Sequence, residues 1–266
     1  MTTPALTLTP PVRPLGQRLF DLALWGTIIV LLIISFGPAE MRNLPKVFTN
    51  SDNMRQFGQE LLKPDFSDWP LLIKQMWLTI QIALWGTTIA VVLAIPLGLA
   101  GARNIAPAFI QLPVRRVMDA VRSIPDLVIA TIFIVAVGLG PFAGVMALAL
   151  NTGGVLGKLF SEAVESIDKG PVEGVRATGA GSLQEIVWGV IPQVAPLWTS
   201  YALYRFESNS RAATVLGLIG AGGIGQILFE SLNSFAYSRV AAISIVIVVA
   251  VTLIDLLSQT IRARLL

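Results

Sequence analysis

The feature that most constrains this chain is a series of long stretches with no charged residue, separated by segments where the charges collect. A bilayer core about 30 Å thick takes ~20 apolar helical residues to cross, and only closed hydrogen-bonded backbone survives there. Residues 22–39 and 75–102 are two such runs, the second long enough to tilt and with Pro96 as an expected kink. Residues 127–157 form a third, which as one helix would reach ~46 Å at about 1.5 Å per residue. Gly138-Leu139-Gly140-Pro141 lies inside it and reads as a tight turn, so the run divides into two helices, the first starting near Pro113 or Pro125. Residues 186–204 and 240–261 complete the series, the last interrupted only by Asp255, a helix-end charge about two turns from Arg262 that reaches toward water.

Composition agrees with lipid as the solvent. The 266 residues are 54% hydrophobic and 13% charged, against about 25% charged in soluble domains. Cysteine and histidine are both absent, which excludes disulfides, thiol chemistry, structural zinc and histidine acid–base catalysis. The net charge of +3 includes no basic run that could track a nucleic acid. Residues 1–18, rich in Pro and Thr, read as a cytoplasmic tail feeding a retained helix, because the apolar run that follows is longer than a signal-peptide core and has no A-x-A site.

Residues 212–229 are uncharged but carry Gly217, Gly220, Gly222, Gly223 and Gly225. Glycine costs roughly 1 kcal/mol per helical residue, so irregular, re-entrant backbone buried in protein is expected there. Arg13 and Arg18, then Arg103, Arg115, Arg116 and Arg122, then Arg262 and Arg264 fall on one side under the positive-inside rule. Six spans with both termini cytoplasmic satisfy them. Charge alone also allows the third and fourth helices to merge while the glycine stretch spans, which would put 158–185 outside.

The segment 161–192 is polar yet patterned. Ser161–Ile167 is helix-compatible, Asp168-Lys169-Gly170 breaks it, and Pro171 suits a first helical position. Gly179 and Gly181 end that helix, and Ser182 with Glu185 forms a capping-box pattern before the next apolar run. A structured loop between spans is a natural docking site.

Here the chain resembles the membrane subunits of binding-protein-dependent ABC importers, whose cytoplasmic motif is E-A-A, three residues, G, nine residues, I-x-L-P. Glu173, Gly179 and Pro192 stand at those spacings, with Ile191 for the leucine; Gly174, Val175 and Gly189 depart from the motif. VGLGPFAGV (137–145), GPVEGVRATGA (170–180), LYRFESNSRAATVLGLIGAGGIG (203–225) and LLSQ (256–259) resemble the phosphonate-importer permeases of that family from about Trp69 onward. The resemblance implies an all-α integral membrane protein of the type I, methionine-importer-like permease fold, with about six spans over 19–266. It also implies that 161–186 is a cytoplasmic coupling loop, in which Glu173, Gly174, Arg176, Ala177, Thr178, Gly179 and Pro192 meet an ATPase.

Two phosphate motifs fail. Gly220 to Gly225 matches G-x-G-x-x-G, but only about forty residues follow, mostly a membrane helix, so no βαβ unit can form. Close packing at a substrate gate is the reading for Gly220, Gly222, Gly223 and Gly225. Gly153 to Lys158 lacks the first glycine and the hydroxyl of a phosphate loop. Arg205, Glu207, Ser208, Asn209, Ser210 and Arg211 follow the fifth span, at its outer end, and have two readings: the lining of an anion path, or a structural Arg–Glu pair.

The expected function is therefore an inner-membrane permease subunit without a catalytic site or bound metal. It would work by alternating access with a second copy of itself or a related chain, two ABC ATPases that use ATP and Mg²⁺, and a periplasmic or lipid-anchored binding protein. Phosphonate, phosphite or a related phosphorus oxyanion would be its ligand. The rivals are a stand-alone secondary transporter or channel, for which neither a repeat nor deep carboxylates are evident, and a membrane enzyme, for which no nucleophile–base cluster is evident.

Overall fold

The computed structural model describes residues 15–46 and 51–265, and every regular element among them is helical. Arg13 and most of the N-terminal tail lie outside the described residues. The chain divides into two compact units, one ending at Gly58 and the other starting at Gln59. In the first, α1 (Leu15–Phe36) buries none of its side chains, and a helix that is apolar all round is built for lipid. It stops before Gly37-Pro38, a little earlier than the apolar run. Helix α2 (Ser51–Leu61) runs across the boundary between the units.

The second unit is organised on α3 (Trp69–Gly101) and α6 (Pro141–Glu165). Helix α3 continues through Pro96, and its 33 residues reach ~50 Å. From Ala83 onward its buried face is made of small residues, Ala83, Gly86, Thr87, Ala90, Ala94, Gly98 and Gly101, one or two per turn. Lipid offers no hydrophobic drive for helices to pair, so close van der Waals contact between small residues does that work. A Cβ placed on Gly86 would stand 2.7 Å from Cβ of Leu148, and one on Gly98 only 2.6 Å from Cβ of Phe160. Phe160 in turn stacks on Trp198, with ring centroids 4.5 Å apart.

The expected turn at 138–141 is present: α5 (Asp126–Val137) ends before it and α6 begins at Pro141. The 12 residues of α5 are too few to cross a bilayer alone, at ~18 Å. They are preceded by α4 (Ala108–Ser123), set at 92° to α5 across Ile124-Pro125, so Pro125 rather than Pro113 marks the start of α5. The basic residues of this region brace helix ends. Arg115 donates to the Gly101 carbonyl at 2.8 Å and pairs with Glu165 at 2.6 Å, while Lys158 pairs with Asp119 at 2.6 Å.

Three boundaries differ from the sequence reading. Ser161 belongs to the last turns of α6, which runs on to Glu165, rather than opening a helix of its own. The loop helix is α7 (Lys169–Ala177), in which Pro171 occupies the third position, still within the first turn where its missing N–H costs nothing. The fifth span does not stop at Tyr204: α8 (Ile191–Leu216), entered through a π-helical turn at Glu185–Val190, carries Arg205 to Arg211 in its interior instead of at its outer end.

After α8 a second π-helical turn, Gly217–Ala221, leads to α9 (Ile224–Asn233) at 59° to α8, and α10 (Tyr237–Leu265) closes the unit. The contacts show where the chain travels. Val190 and Val194 pack with Ala90 and Ala94; Leu216 and Ala221 pack with Ile82 and Ala83; Ile224 and Ile227 pack with Leu72 and Met76. Partners on α3 thus retreat steadily toward its N-terminus, so the glycine stretch bends the chain without turning it back. Its irregular backbone is sealed by protein: Gly140 N donates to the Gly220 carbonyl at 3.0 Å, and Ile224 N donates to Thr79 Oγ1 at 2.9 Å. Among the described residues four helices, or six crossings if each bent pair is one span, are long and apolar enough to traverse a membrane.

Candidate functional site

Two regions gather the residues that sequence reasoning singles out. The first is the loop around α7. Asp168 caps it by accepting from Gly170 N at 3.0 Å, and Gly179 ends it with φ of +82°, a left-handed conformation that costs other residues ~1–2 kcal/mol. The following turn is capped one residue earlier than expected. Gln184 Oε1 accepts from Gly181 N at 3.0 Å, which frees Glu185 to take both arms of Arg176, at 2.9 and 2.8 Å. That bridge ties α7 to the π-helical entrance of α8.

Beside it, Val172 lies directly on Gly189, where a Cβ would come within 3.0 Å of the Val172 Cα. The glycine at 189, one of the departures from the resembled motif, is therefore the residue that lets the loop helix seat on the membrane helix. Glu173, Gly174, Arg176, Ala177, Thr178 and Gly179 stay exposed or half-exposed, and a Cβ placed on Gly174 or Gly179 would meet nothing within 4 Å. Leu183 and Trp188 project beside them at 74% and 70% exposure, with a shallow hollow between Pro171, Gly174, Gly179 and Trp188. These side chains form an exposed apolar patch around a fixed turn.

The Arg176 hydrogen bonds hold the Glu185 carboxyl below the ordinary carboxylate range. A depressed carboxylate contributes above its unfolded value of about 4.3 and is lost only as pH falls through the lowered folded value. The anchoring of α7 is accordingly expected to be unchanged from pH 8 to about pH 5, checked by limited proteolysis of the loop across that range.

The second region is the middle of α8. At about 100° per residue, Tyr201, Tyr204, Arg205, Ser208, Arg211, Ala212 and Val215 fall within an arc of roughly 120° centred on Ser208. All of them are exposed or half-exposed, whereas Glu207, Asn209, Ser210, Ala213, Thr214 and Leu216 are buried. The open stripe is polar. By contrast, the open face of α10 is aliphatic, with Ile245, Val248, Val249, Leu253, Leu256 and Leu257. A guanidinium left half-exposed at membrane depth is costly against lipid, so the α8 stripe belongs against water or another protein chain.

The residues grouped together from sequence divide between two flanks of this stripe. On one side Asn209 is a buried hub, donating to Thr87 Oγ1 at 2.8 Å and accepting from Thr152 Oγ1 at 3.0 Å, so that it joins α3, α6 and α8. Arg205 reaches the same Thr152 at 3.4 Å, and its Nε is buried with no partner. Next to Thr152, Asn151 donates to Asp126 at the start of α5. On the other side Glu207, its side chain only 10% exposed, accepts from Arg211 at 2.9 Å and from Arg262 of α10 at 3.4 Å. Ser210 turns inward to the Phe206 carbonyl. The Arg–Glu pair is thus real for Arg211, and Arg205 stands apart from it.

Thr87, Asp126, Asn151 and Thr152 are partners of this cluster that the sequence does not single out, and it marks Arg262 only as an indicator of orientation. The one available signal is that each is a polar residue inside or at the end of an apolar run. Gly220, Gly222, Gly223 and Gly225 pack against α3, α6, the 138–140 turn and α8 rather than against open space: Gly223, at φ of +76°, lies on Thr79, and Gly225 on the Thr214 carbonyl.

Four likenesses bear on the site. Residues 94–266 match the model of the family described as binding-protein-dependent transport system inner membrane component. A phosphite transport system permease protein of Stutzerimonas stutzeri is 44% identical over 204 residues, which cover 76% of this chain and 74% of that protein. A putative cryptic phosphonate transport system permease protein of Escherichia coli K12 is 57% identical over 117 residues, 44% of this chain and 96% of that one. Among solved structures, an inward-facing methionine ABC transporter superposes with a TM-score of 0.66 at 21% identity, covering 76% of this chain and 99% of that chain, a likeness of fold.

Proposed function

This chain belongs to the family of binding-protein-dependent transport system inner membrane components, multi-pass membrane proteins, and from that premise we propose that it is the permease subunit of an ATP-driven importer for a phosphorus oxyanion. The observation that carries the reading is the geometry of α7. An exposed, capped helix is stapled through Arg176–Glu185 and seated through Val172–Gly189 on the entrance to the helix that carries the polar stripe. A force applied to α7 by an ATPase partner would act directly on α8. In this reading the loop from Glu173 to Gly179 and both termini are cytoplasmic, two ATPase subunits hydrolyse ATP with Mg²⁺, and a binding protein delivers the ligand from the far side.

The second permease chain, a copy of this one or a related chain, would cover the α8 stripe and enclose a pathway against it. Arg205, Ser208 and Arg211 then form the wall that an oxyanion passes, since fixed guanidinium donors match such oxygens. The phosphite and phosphonate systems in which the relatives act support a ligand of that chemistry.

The chain has no cysteine, so single cysteines report cleanly. In the assembled complex, Ser208→Cys is expected to react with a membrane-impermeant sulfonate thiol reagent and to be protected by phosphite, while Val249→Cys on α10 stays unreacted. Equal reactivity at the two positions would overturn the pathway assignment. The assembly itself is tested by purifying the tagged chain in mild detergent: an ABC ATPase should accompany it, and a chain that purifies alone yet moves phosphite in liposomes without ATP would mean a secondary transporter.

A further inference from the structure

Helix α4 is amphipathic the wrong way round for a helix in water. At about 100° per residue, Phe109, Ile110, Leu112, Arg116, Val117 and Ala120 fall within an arc of roughly 160°, and all six are exposed. Gln111, Arg115, Met118 and Asp119 lie on the opposite side, where Gln111 and Met118 are buried. The charges of that inner side are engaged. Arg115 holds the Gly101 carbonyl and Glu165, and Asp119 takes Lys158 at 2.6 Å and Arg122 at 3.3 Å. The outward arc is apolar apart from Arg116, which has no hydrogen bond or ion pair among the described residues.

The neighbours of α4 fix its place in the bilayer. Asp126 meets Asn151 at one end of α5 and the 138–140 turn closes the other, so α5 runs antiparallel to α6, a helix long and apolar enough to cross. At 92° to α5, α4 lies closer to the membrane plane than to its normal. Gly101 and Glu165, both gripped by Arg115, are the last residues of α3 and α6. Arg116, next in sequence, therefore stands where those two helices end, on the side from which α7 follows. Arg103, just past the end of α3, is on the same side; its side chain is 74% exposed and reaches Glu165 only at 3.9 Å.

We propose that this face of α4 is a seat for anionic phospholipid in that leaflet. Phe109, Leu112 and Val117 enter the acyl boundary while Arg116, assisted by Arg103, binds the headgroup phosphate. In-plane amphipathic helices bind membranes through their apolar area together with the attraction of basic side chains for acidic lipid. A guanidinium on an apolar face is costly against acyl chains, and it is relieved by extending to phosphate oxygens at the interface. A second copy is a poorer match to the charge. Meeting this face about a two-fold axis, it would bring two Arg116 side chains together with no carboxylate within the arc to separate them. The seat requires only that the chain lie in a membrane; the permease reading adds that the leaflet is the cytoplasmic one.

The cysteine-free chain allows a direct test. Ala120→Cys, one turn from Arg116 on the exposed face, is labelled with a fluorophore, and the assembled complex is placed in phosphatidylcholine vesicles. Traces of spin-labelled phosphatidylglycerol or spin-labelled phosphatidylcholine then serve as quenchers. Phosphatidylglycerol is expected to reach the Ala120→Cys label with about fivefold higher affinity than phosphatidylcholine, and a label at Val249→Cys on α10 should not distinguish them. Adding Arg116→Gln should reduce the preference to less than about twofold, whereas Arg116→Lys, which keeps the charge, should retain it. A label that neither lipid quenches would mean that protein covers the face, and would overturn the proposal. So would equal quenching by both lipids, or a preference that survives Arg116→Gln. None of these readings uses transport, so a complex that binds the lipid yet carries no phosphite would count against the permease reading alone.

Discussion

Gly179→Asp is expected to abolish ATP-driven uptake while the chain still inserts and folds. Gly179 adopts φ of +82° two residues past the end of α7, and a Cβ there would meet nothing within 4 Å, so the substitution disturbs no packing inside the chain. It acts through its charge. Aspartate, like asparagine, is among the residues that enter the left-handed region, so backbone strain is the smaller effect. A carboxylate enters a surface that, in the proposed assembly, is covered by the ATPase, and desolvating it there is costly. A cost of about 3 kcal/mol would weaken docking on the order of a hundredfold. Uptake in whole cells, with ATPase copurification as the direct readout, checks the prediction. Gly179→Asn should lose much less, because asparagine tolerates the left-handed conformation and brings no charge. Normal uptake by Gly179→Asp would remove α7 as the docking element.

Gly98→Leu is expected to have the other large effect, on the fold itself. A Cβ at Gly98 would stand 2.6 Å from Cβ of Phe160 and 3.3 Å from its backbone, which leaves α3 and α6 no way to accommodate it but to part. Phe160 cannot swing aside, because it is fully buried and stacked on Trp198. Overpacking of this kind costs ~1–3 kcal/mol even where a core can yield, and here the contact holds together two of the longest helices. The monodisperse fraction in detergent should collapse, with loss of thermal stability in whatever remains. Gly26→Leu in α1, where nothing lies within 4 Å, is the control and should be tolerated. A stable Gly98→Leu protein would mean that α3 and α6 are held by something other than this close approach.

The spans are legible because lipid penalises charge severely, so a long uncharged run in a helix-forming sequence marks a membrane crossing. The same rule misplaces the end of α8. Arg205 reads as the first residue outside a membrane when only its neighbours in sequence are considered, yet α8 continues to Leu216. What allows this is supplied from far along the chain: Thr87 and Thr152 reach Asn209, Thr152 meets Arg205, and Arg262 meets Glu207. No local pattern contains that information. The loop motif is legible in its spacing but not in its mechanics. Glu185 and Gln184 both suit a capping role beside Gly181 and Ser182, and only the position of Arg176 decides that Gln184 caps and Glu185 bridges. By spacing alone Gly189 is a defect in the motif, whereas in the fold it is the seat on which Val172 lies.

The hub at Asn209 has a mechanical consequence. By tying α8 to α3 and α6 through buried hydrogen bonds, it prevents α8 from sliding past its neighbours and makes those three helices a stiff plate. A displacement delivered at Gly189 cannot be absorbed along the 26 residues of α8, some ~39 Å of regular helix. It must be taken up where regular hydrogen bonding ends, at Gly217–Ala221 and the two positive-φ glycines that follow. In the proposed assembly the glycine stretch would serve as the pivot of a lever whose short input arm is α7, and the angle between α8 and α9 would be the coordinate along which the two halves of the transport cycle differ.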